Sequence, residues 1–340
     1  MINVKQSTIN DSLSNMSLLK ILRVAVIPVV LALLTSCFKE DTPVQLPAPG
    51  DARVFGINMG EDYHRQAYFD FTTEDTLGSE HSVWDLCFES TDSGWHVWMN
   101  GGNEAFVANT DTQDFDAVTS TNGLTWKIDD PDWNIDSTAV GDWRVNRKVY
   151  VMDRGVNFSA DQRYRKIIFQ SVNSSEYELQ FAALDGSGFV IYHIQKKPGN
   201  QFVYFTFDDN GKMLDIEPNS FAWDILFTHY RTVITTVNPP LPYLVTGVLI
   251  NPSIAVSVDS TMNFSDIDYV TALTLTYSSR RDIIGYNWKR FDFTTQSYVV
   301  KPYINYILRD VEGVYWKMHF SDFYNGAGQK GYPQFEFQRL

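Results

Sequence analysis

Glu176-Tyr177-Glu178-Leu179-Gln180-Phe181 alternates polar and apolar side chains, and Gln334-Phe335-Glu336-Phe337-Gln338 does the same. A period of two places successive side chains on opposite faces of a pleated strand, so both segments predict strands with one face buried. Elsewhere the chain turns on Asp185-Gly186-Ser187-Gly188, Asp209-Asn210-Gly211 and Asn325-Gly326-Ala327-Gly328, residues that tolerate the positive φ of tight hairpins. No stretch keeps apolar positions at i, i+3, i+4 and i+7 over three turns with a cap and a glycine stop. The pattern predicts an all-β chain of antiparallel strands with few short helices.

The pattern also recurs. Tyr68-Phe69-Asp70-Phe71 precedes Trp84-Asp85-Leu86-Cys87-Phe88, and Tyr204-Phe205-Thr206-Phe207 precedes Trp223-Asp224-Ile225-Leu226-Phe227. Farther along, Tyr164-Arg165-Lys166-Ile167-Ile168-Phe169 is echoed by Tyr315-Trp316-Lys317-Met318-His319-Phe320. This order predicts two tandem β repeats, residues 51–200 and 201–340, joined at Lys196-Lys197-Pro198-Gly199-Asn200. Each repeat is expected to hold its own core and to unfold in its own transition. Trp84 with Asp85 and Trp223 with Asp224 mark the structural centre of each repeat. A buried indole seeks an acceptor, and an Asp on the opposite pleat can receive backbone donors at a strand edge.

Composition narrows the function. Aromatic residues make up 15% of the 340 residues and charged residues only 20%, which gives ample apolar material for folding and excludes global disorder. With 27 Lys and Arg against 41 Asp and Glu, the net charge of -14 offers no basic footprint for nucleic acid. The chain has no Gly-x-Ser-x-Gly elbow, P-loop, His-Glu-x-x-His or Cys-x-x-Cys motif, so an enzyme is not expected. Asp130, Asp132, Asn134 and Asp136 place oxygens at alternate positions, as a calcium loop does. Ile135 stands where an EF-hand needs Gly and Gly141 where it needs Glu, which leaves a solvated acidic loop as the competing reading.

The N-terminus carries an address. Lys20 and Arg23 precede an apolar run from Val24 to Leu34, too short to span a bilayer but suited to a signal-peptide core. The following Leu34-Thr35-Ser36-Cys37 resembles the bacterial lipobox, which makes Cys37 the lipidated residue. Residues 1–36 are then an N-terminal extension and lipoprotein signal peptide. Residues 37–50 form a tether stiffened by Pro43, Pro47 and Pro49, and the protein is expected at the outer membrane or cell surface. Cys87, in an apolar strand-like run without a disulfide partner, reads as a buried structural thiol.

Residues 204–340, from Tyr204-Phe205-Thr206-Phe207 through Trp223-Asp224 to Tyr315-Trp316-Lys317-Met318-His319-Phe320-Ser321-Asp322-Phe323-Tyr324 and Gly331-Tyr332-Pro333-Gln334-Phe335-Glu336-Phe337, resemble the HmuY family of Bacteroidota surface lipoproteins. Residues 68–185 resemble it more weakly, at Trp84-Asp85-Leu86-Cys87-Phe88 and His96-Val97-Trp98-Met99-Asn100-Gly101. The resemblance implies an all-β fold, haem as ligand, iron acquisition, and hand-over to an outer-membrane TonB-dependent transporter. It also implies two axial side chains on the iron, His or Met, from the region between the Trp-Asp strand and the final strand pair. None of the six histidines, His64, His81, His96, His193, His229 and His319, falls in either such region. Met152 lies in the first and Met262 in the second, which makes Met262 the axial-ligand candidate. The alternative is a glycan- or protein-binding structural lipoprotein on the same fold. Trp95, Trp98, Trp126, Trp133 and Trp143 supply either stacking faces for such a ligand or core filling.

Overall fold

The structure is a computed structural model that describes residues 48–340; the expected signal peptide, Cys37 and most of the expected tether lie outside the described residues. In the first half, β1 (Arg53–Gly56), β2 (Arg65–Phe69) and β3 (Thr76–Glu80) precede β4 (Leu86–Glu89), β5 (Val97–Met99), β6 (Phe106–Asn109), β7 (Tyr150–Asp153), β8 (Tyr164–Val172), β9 (Glu176–Ala182) and β10 (Val190–Gln195). The second half supplies β11 (Phe202–Thr206), β12 (Lys212–Leu214), β13 (Ile225–Ile234), β14 (Leu241–Ile250), β15 (Ala255–Asp259), β16 (Lys289–Asp292) and β17 (Ser297–Val300), then β18 (Asn305–Arg309), β19 (Tyr315–Tyr324) and β20 (Lys330–Arg339). The described α-helices are short, α1 (Ala160–Arg163) and α2 (Tyr269–Thr274). The fold is all-β, and its strand pairs are antiparallel.

Two sandwiches organise these strands. In the first, the sheet β12-β11-β4-β5 covers the sheet β10-β9-β8-β7-β6; in the second, β14-β13-β2-β3 covers β1-β20-β19-β18-β15. Phe88, Phe169, Tyr177 and Phe205 fill the first core, and Phe69, Phe227, Phe320 and Phe335 the second. The alternation read from the sequence is visible in the packing of β9, where Tyr177, Leu179 and Phe181 point inward, and of β20, where Phe335 and Phe337 do. The glycine-bearing turns at 185–188, 209–211 and 325–328 each join a paired set of strands, β9 to β10, β11 to β12 and β19 to β20.

The expected joint at residue 200 is not a boundary between the sheets. β11 pairs with β4, setting Tyr204 against Cys87 and Phe205 against Leu86, while β2 pairs with β13, setting Tyr68 against Leu226 and Phe69 against Ile225. Each Tyr-Phe strand therefore completes a sandwich whose central Trp-Asp strand comes from the other half of the sequence. A hydrophobic period shows that a segment is a strand and which face it buries; it does not name the partner. The two Tyr-Phe strands carry the same apolar pattern, so either pairing satisfies it. Where the sandwiches meet, the Tyr68 and Tyr204 hydroxyls lie 3.3 Å apart, both buried.

Candidate functional site

The two Trp-Asp segments hold their surroundings with matching hydrogen bonds. The Asp85 N–H donates to Phe205 O and the Asp224 N–H to Phe69 O, each at 2.8 Å. The Phe207 N–H donates to Asp85 Oδ2 and the Phe71 N–H to Asp224 Oδ2, each at 2.9 Å. Asn100 Nδ2 donates to the carbonyls of His81 and Trp84, and Asn251 Nδ2 to those of Ser220 and Trp223. In both places the carboxylate and amide bond backbone groups where strand gives way to turn, which orients the neighbouring indole toward the junction.

The match ends at charge. Arg154 forks Asp85, Nε to Oδ1 and Nη2 to Oδ2, both at 2.8 Å, with each side chain 1% exposed. The turn that brings Arg154 there needs Gly155: φ is +111°, and a Cβ would fall 1.7 Å from Asn103 O. Asp224 has no such cation among the described residues. Burial pushes its carboxyl up to about 8, and the charges of Asp70, Asp310 and Glu312 act in the same direction.

A cleft opens at the junction of the sandwiches, with a cavity volume of about 40 Å³. Trp84, Tyr204 and Trp133 line it from the first sandwich and Tyr68, Arg231 and Arg281 from the second. Tyr204 hydroxyl donates to Glu217 Oε2 at 2.6 Å, and burial lifts that carboxyl to about 7. Asp129 at the rim accepts from the Met99 N–H at 2.7 Å and the Ala139 N–H at 2.8 Å. Burial nevertheless raises its carboxyl to about 6. Arg281 is 3% exposed and lies 3.7 Å above the Trp133 ring, yet its Nε, Nη1 and Nη2 have no protein partner. Arg231 Nη1 donates to Ala105 O, while its Nη2 is also unpartnered.

The residues singled out by sequence are dispersed. Met152 is fully buried in the first core. Met262 is half-buried against Ile267, Ala272, Ile307 and Tyr277, and its carbonyl accepts from Asn305 Nδ2 at 2.9 Å. The oxygens of Asp130, Asp132 and Asn134 do not converge: each accepts from the backbone N–H two residues on, those of Asp132, Asn134 and Asp136. Among the described residues no group of three or more His, Cys, Asp or Glu side chains is arranged to hold a metal ion. The oxygen spacing is that of consecutive Asx turns, in which each side chain bonds the backbone two residues on. Cys87 is buried in β4, and its thiol is pushed up by desolvation. His229 faces the cleft, held near 4 by burial, and His96 is bonded to Glu89.

Sequence reasoning passed over Arg154, Glu217 and Arg281. Tyr68 and Tyr204 were visible only as landmarks of the repeat. Arg281 had one faint signal, the dipeptide Arg280-Arg281 in an acidic chain, and nothing marked it as buried.

A family model described as HmuY protein matches residues 62–337. Among solved structures, apo PinO from Porphyromonas gingivitis is 8% identical, with 85% of this chain and 98% of that chain covered and a TM-score of 0.31. A putative HmuY-like heme binding protein from Bacteroides vulgatus is 10% identical, with coverage of 84% and 90% and a TM-score of 0.22. The apo HmuY analog of Tannerella forsythia is 9% identical, with coverage of 86% and 99% and a TM-score of 0.24. No curated protein matches the chain.

Proposed function

Since the chain belongs to the HmuY family, we propose that it is a surface-tethered binding lipoprotein that captures haem for iron acquisition, delivers it to an outer-membrane TonB-dependent transporter and catalyses no reaction. The family match over residues 62–337, which takes in strands of both sandwiches, carries this reading. Bound haem would bring a flat apolar macrocycle and an iron that takes axial donors from the protein.

Met262 is the thioether the sequence offers for that chemistry, and His319, whose Nε2 lies 3.5 Å from Glu336 Oε2, is the imidazole nearest it along the sheet register. The thioether is soft and half-buried. His319 lies on β19 one step beyond Met318, the partner of Tyr306, and so beside Asn305, which bonds the Met262 carbonyl. His319 Nδ1 is buried and has no protein partner, and desolvation lowers its basicity, which keeps the imidazole neutral as a ligand must be. Met262 and His319 are thus the pair to test.

Titration of the purified protein with ferric and ferrous haem should give a saturable Soret shift, tighter for the ferrous form because a thioether favours reduced iron. Met262→Ala should alter the reduced spectrum and weaken binding; an unchanged spectrum and affinity would remove Met262. No shift in either redox state would overturn the haem reading and leave recognition of a glycan or partner protein. The anchor has its own check: Cys37→Ala should abolish palmitate incorporation and release the protein from membranes, and a variant that still labels and sediments would refute lipidation there.

A further inference from the structure

We infer that the junction cleft binds a carboxylate-bearing aromatic or other flat apolar ligand, with the Arg281 guanidinium as its clamp. This goes beyond the haem reading and does not depend on it. A guanidinium that is 3% exposed and has none of its three nitrogens bonded by protein leaves a fork of donors inside the fold. Unsatisfied buried donors on a charged group are costly, so an acceptor is expected to meet them. No carboxylate of the protein bonds the guanidinium. Both Asp129 oxygens take backbone N–H groups, and Glu217 takes the Tyr204 hydroxyl on Oε2 while its buried Oε1 has no partner; the Arg281 charge acts on Glu217, yet the two form no ion pair.

The shape of the site selects the acceptor. The Trp133 ring lies 3.7 Å and the Phe202 ring 5.1 Å from the guanidinium carbon, so aromatic rings flank the group while its N–H donors stay unpartnered. A planar donor edge matches the two oxygens of a carboxylate. Arg231 Nη2 offers a further free donor on the cleft wall. Trp84, Tyr68 and Tyr204 provide an aromatic lining for the body of the ligand. Asp129 and Asp130 at the rim disfavour a dianion, which sets a singly charged carboxylate above phosphate.

Benzoate, benzamide and inorganic phosphate are the probes, followed by titration calorimetry and by the fluorescence of Trp84 and Trp133. Benzoate should bind saturably, with neutral benzamide and phosphate at least about tenfold weaker, the size expected for a bond to a charged group. Arg281→Gln should lose at least about tenfold for benzoate, and Arg281→Lys, which keeps the charge but not the fork, should fall between. Equal binding of benzoate and benzamide to the unmodified protein, or no saturable benzoate binding, overturns the inference without recourse to any variant. So does an Arg281→Gln protein with an unchanged circular dichroism spectrum and unchanged benzoate affinity. Competition between haem and benzoate would identify a porphyrin propionate as the carboxylate, and independent binding would identify a free acid; either supports a carboxylate on Arg281.

Discussion

Asp85→Asn should destabilise the protein by about 3–5 kcal/mol, while Asp224→Asn at pH 4, where the Asp224 carboxyl is protonated in the folded state, should change stability by no more than about 1 kcal/mol. The two aspartates hold equivalent backbone bonds, so the difference reports the Arg154 ion pair together with the one extra bond Asp85 accepts, from the Thr206 hydroxyl at 2.9 Å. Removing the Asp85 carboxylate leaves Arg154 buried at 1% exposure with only Asp208, itself largely in solvent, as counter-ion. Asp224 has no cation to strand, and Asn keeps an oxygen for the Phe71 N–H. The pH dependence separates them further. The folded Asp224 carboxyl titrates near 8 and the unfolded one at its ordinary value near 3.9, so the folded state holds an extra proton between those limits. Its contribution is complete below about pH 4 and is lost as pH rises through about 8. Denaturant unfolding of wild type and Asp224→Asn from pH 4 to 9 should show a shallower decline in the variant. Equal losses for the two Asn variants, or parallel pH profiles for Asp224→Asn and wild type, would contradict this account.

Trp84→Ala and Trp223→Ala should each cost about 3–5 kcal/mol, and each should lower one shared unfolding transition. Trp223 is 1% exposed and meets the Tyr68 ring edge-on at 4.8 Å; Trp84 is 7% exposed and meets Tyr204 at 5.1 Å. Each indole thus packs on a tyrosine from a strand supplied by the other half of the sequence, and the two tyrosine hydroxyls face one another. Loss of either sandwich withdraws the junction contacts, the Tyr68–Tyr204 pair among them, from the other, which couples the two and replaces the two separate transitions expected of independent tandem copies. Calorimetry and far-UV circular dichroism should report a single cooperative loss. Two resolved transitions, with each substitution moving only one, would show that the exchanged strands do not couple the halves.

Strand identity was legible in the sequence wherever one face is buried. β9 and β20 show the alternation directly, and the turns carry the residues their backbone needs. Pairing was not legible, because Phe69 and Phe205 present the same pattern to Ile225 and Leu86. The cleft was hidden for a related reason. Tyr68 and Tyr204, which line it, stand 136 residues apart, as Asp85 and Arg154 of the buried ion pair stand 69 apart, and no local period links such positions. The oxygens from Asp130 to Asp136 were legible as a pattern with two uses, and the spacing alone did not show that each bonds the backbone two residues on.

The exchange of strands also sets an order of events during synthesis. Once β12 has been made, β4 to β12 include every strand of the first sandwich, and that unit can close while the rest of the chain is still being made. The earliest strands have no such option. β2 waits for β13 and β1 for β20, the last strand of all, so the apolar side of Tyr68-Phe69-Asp70-Phe71 stays uncovered until synthesis is nearly complete. A nascent chain stalled after β12 would therefore carry a closed sandwich with a sticky leader, and a chain beginning at β4 would carry a second sandwich with no strand to close its edge.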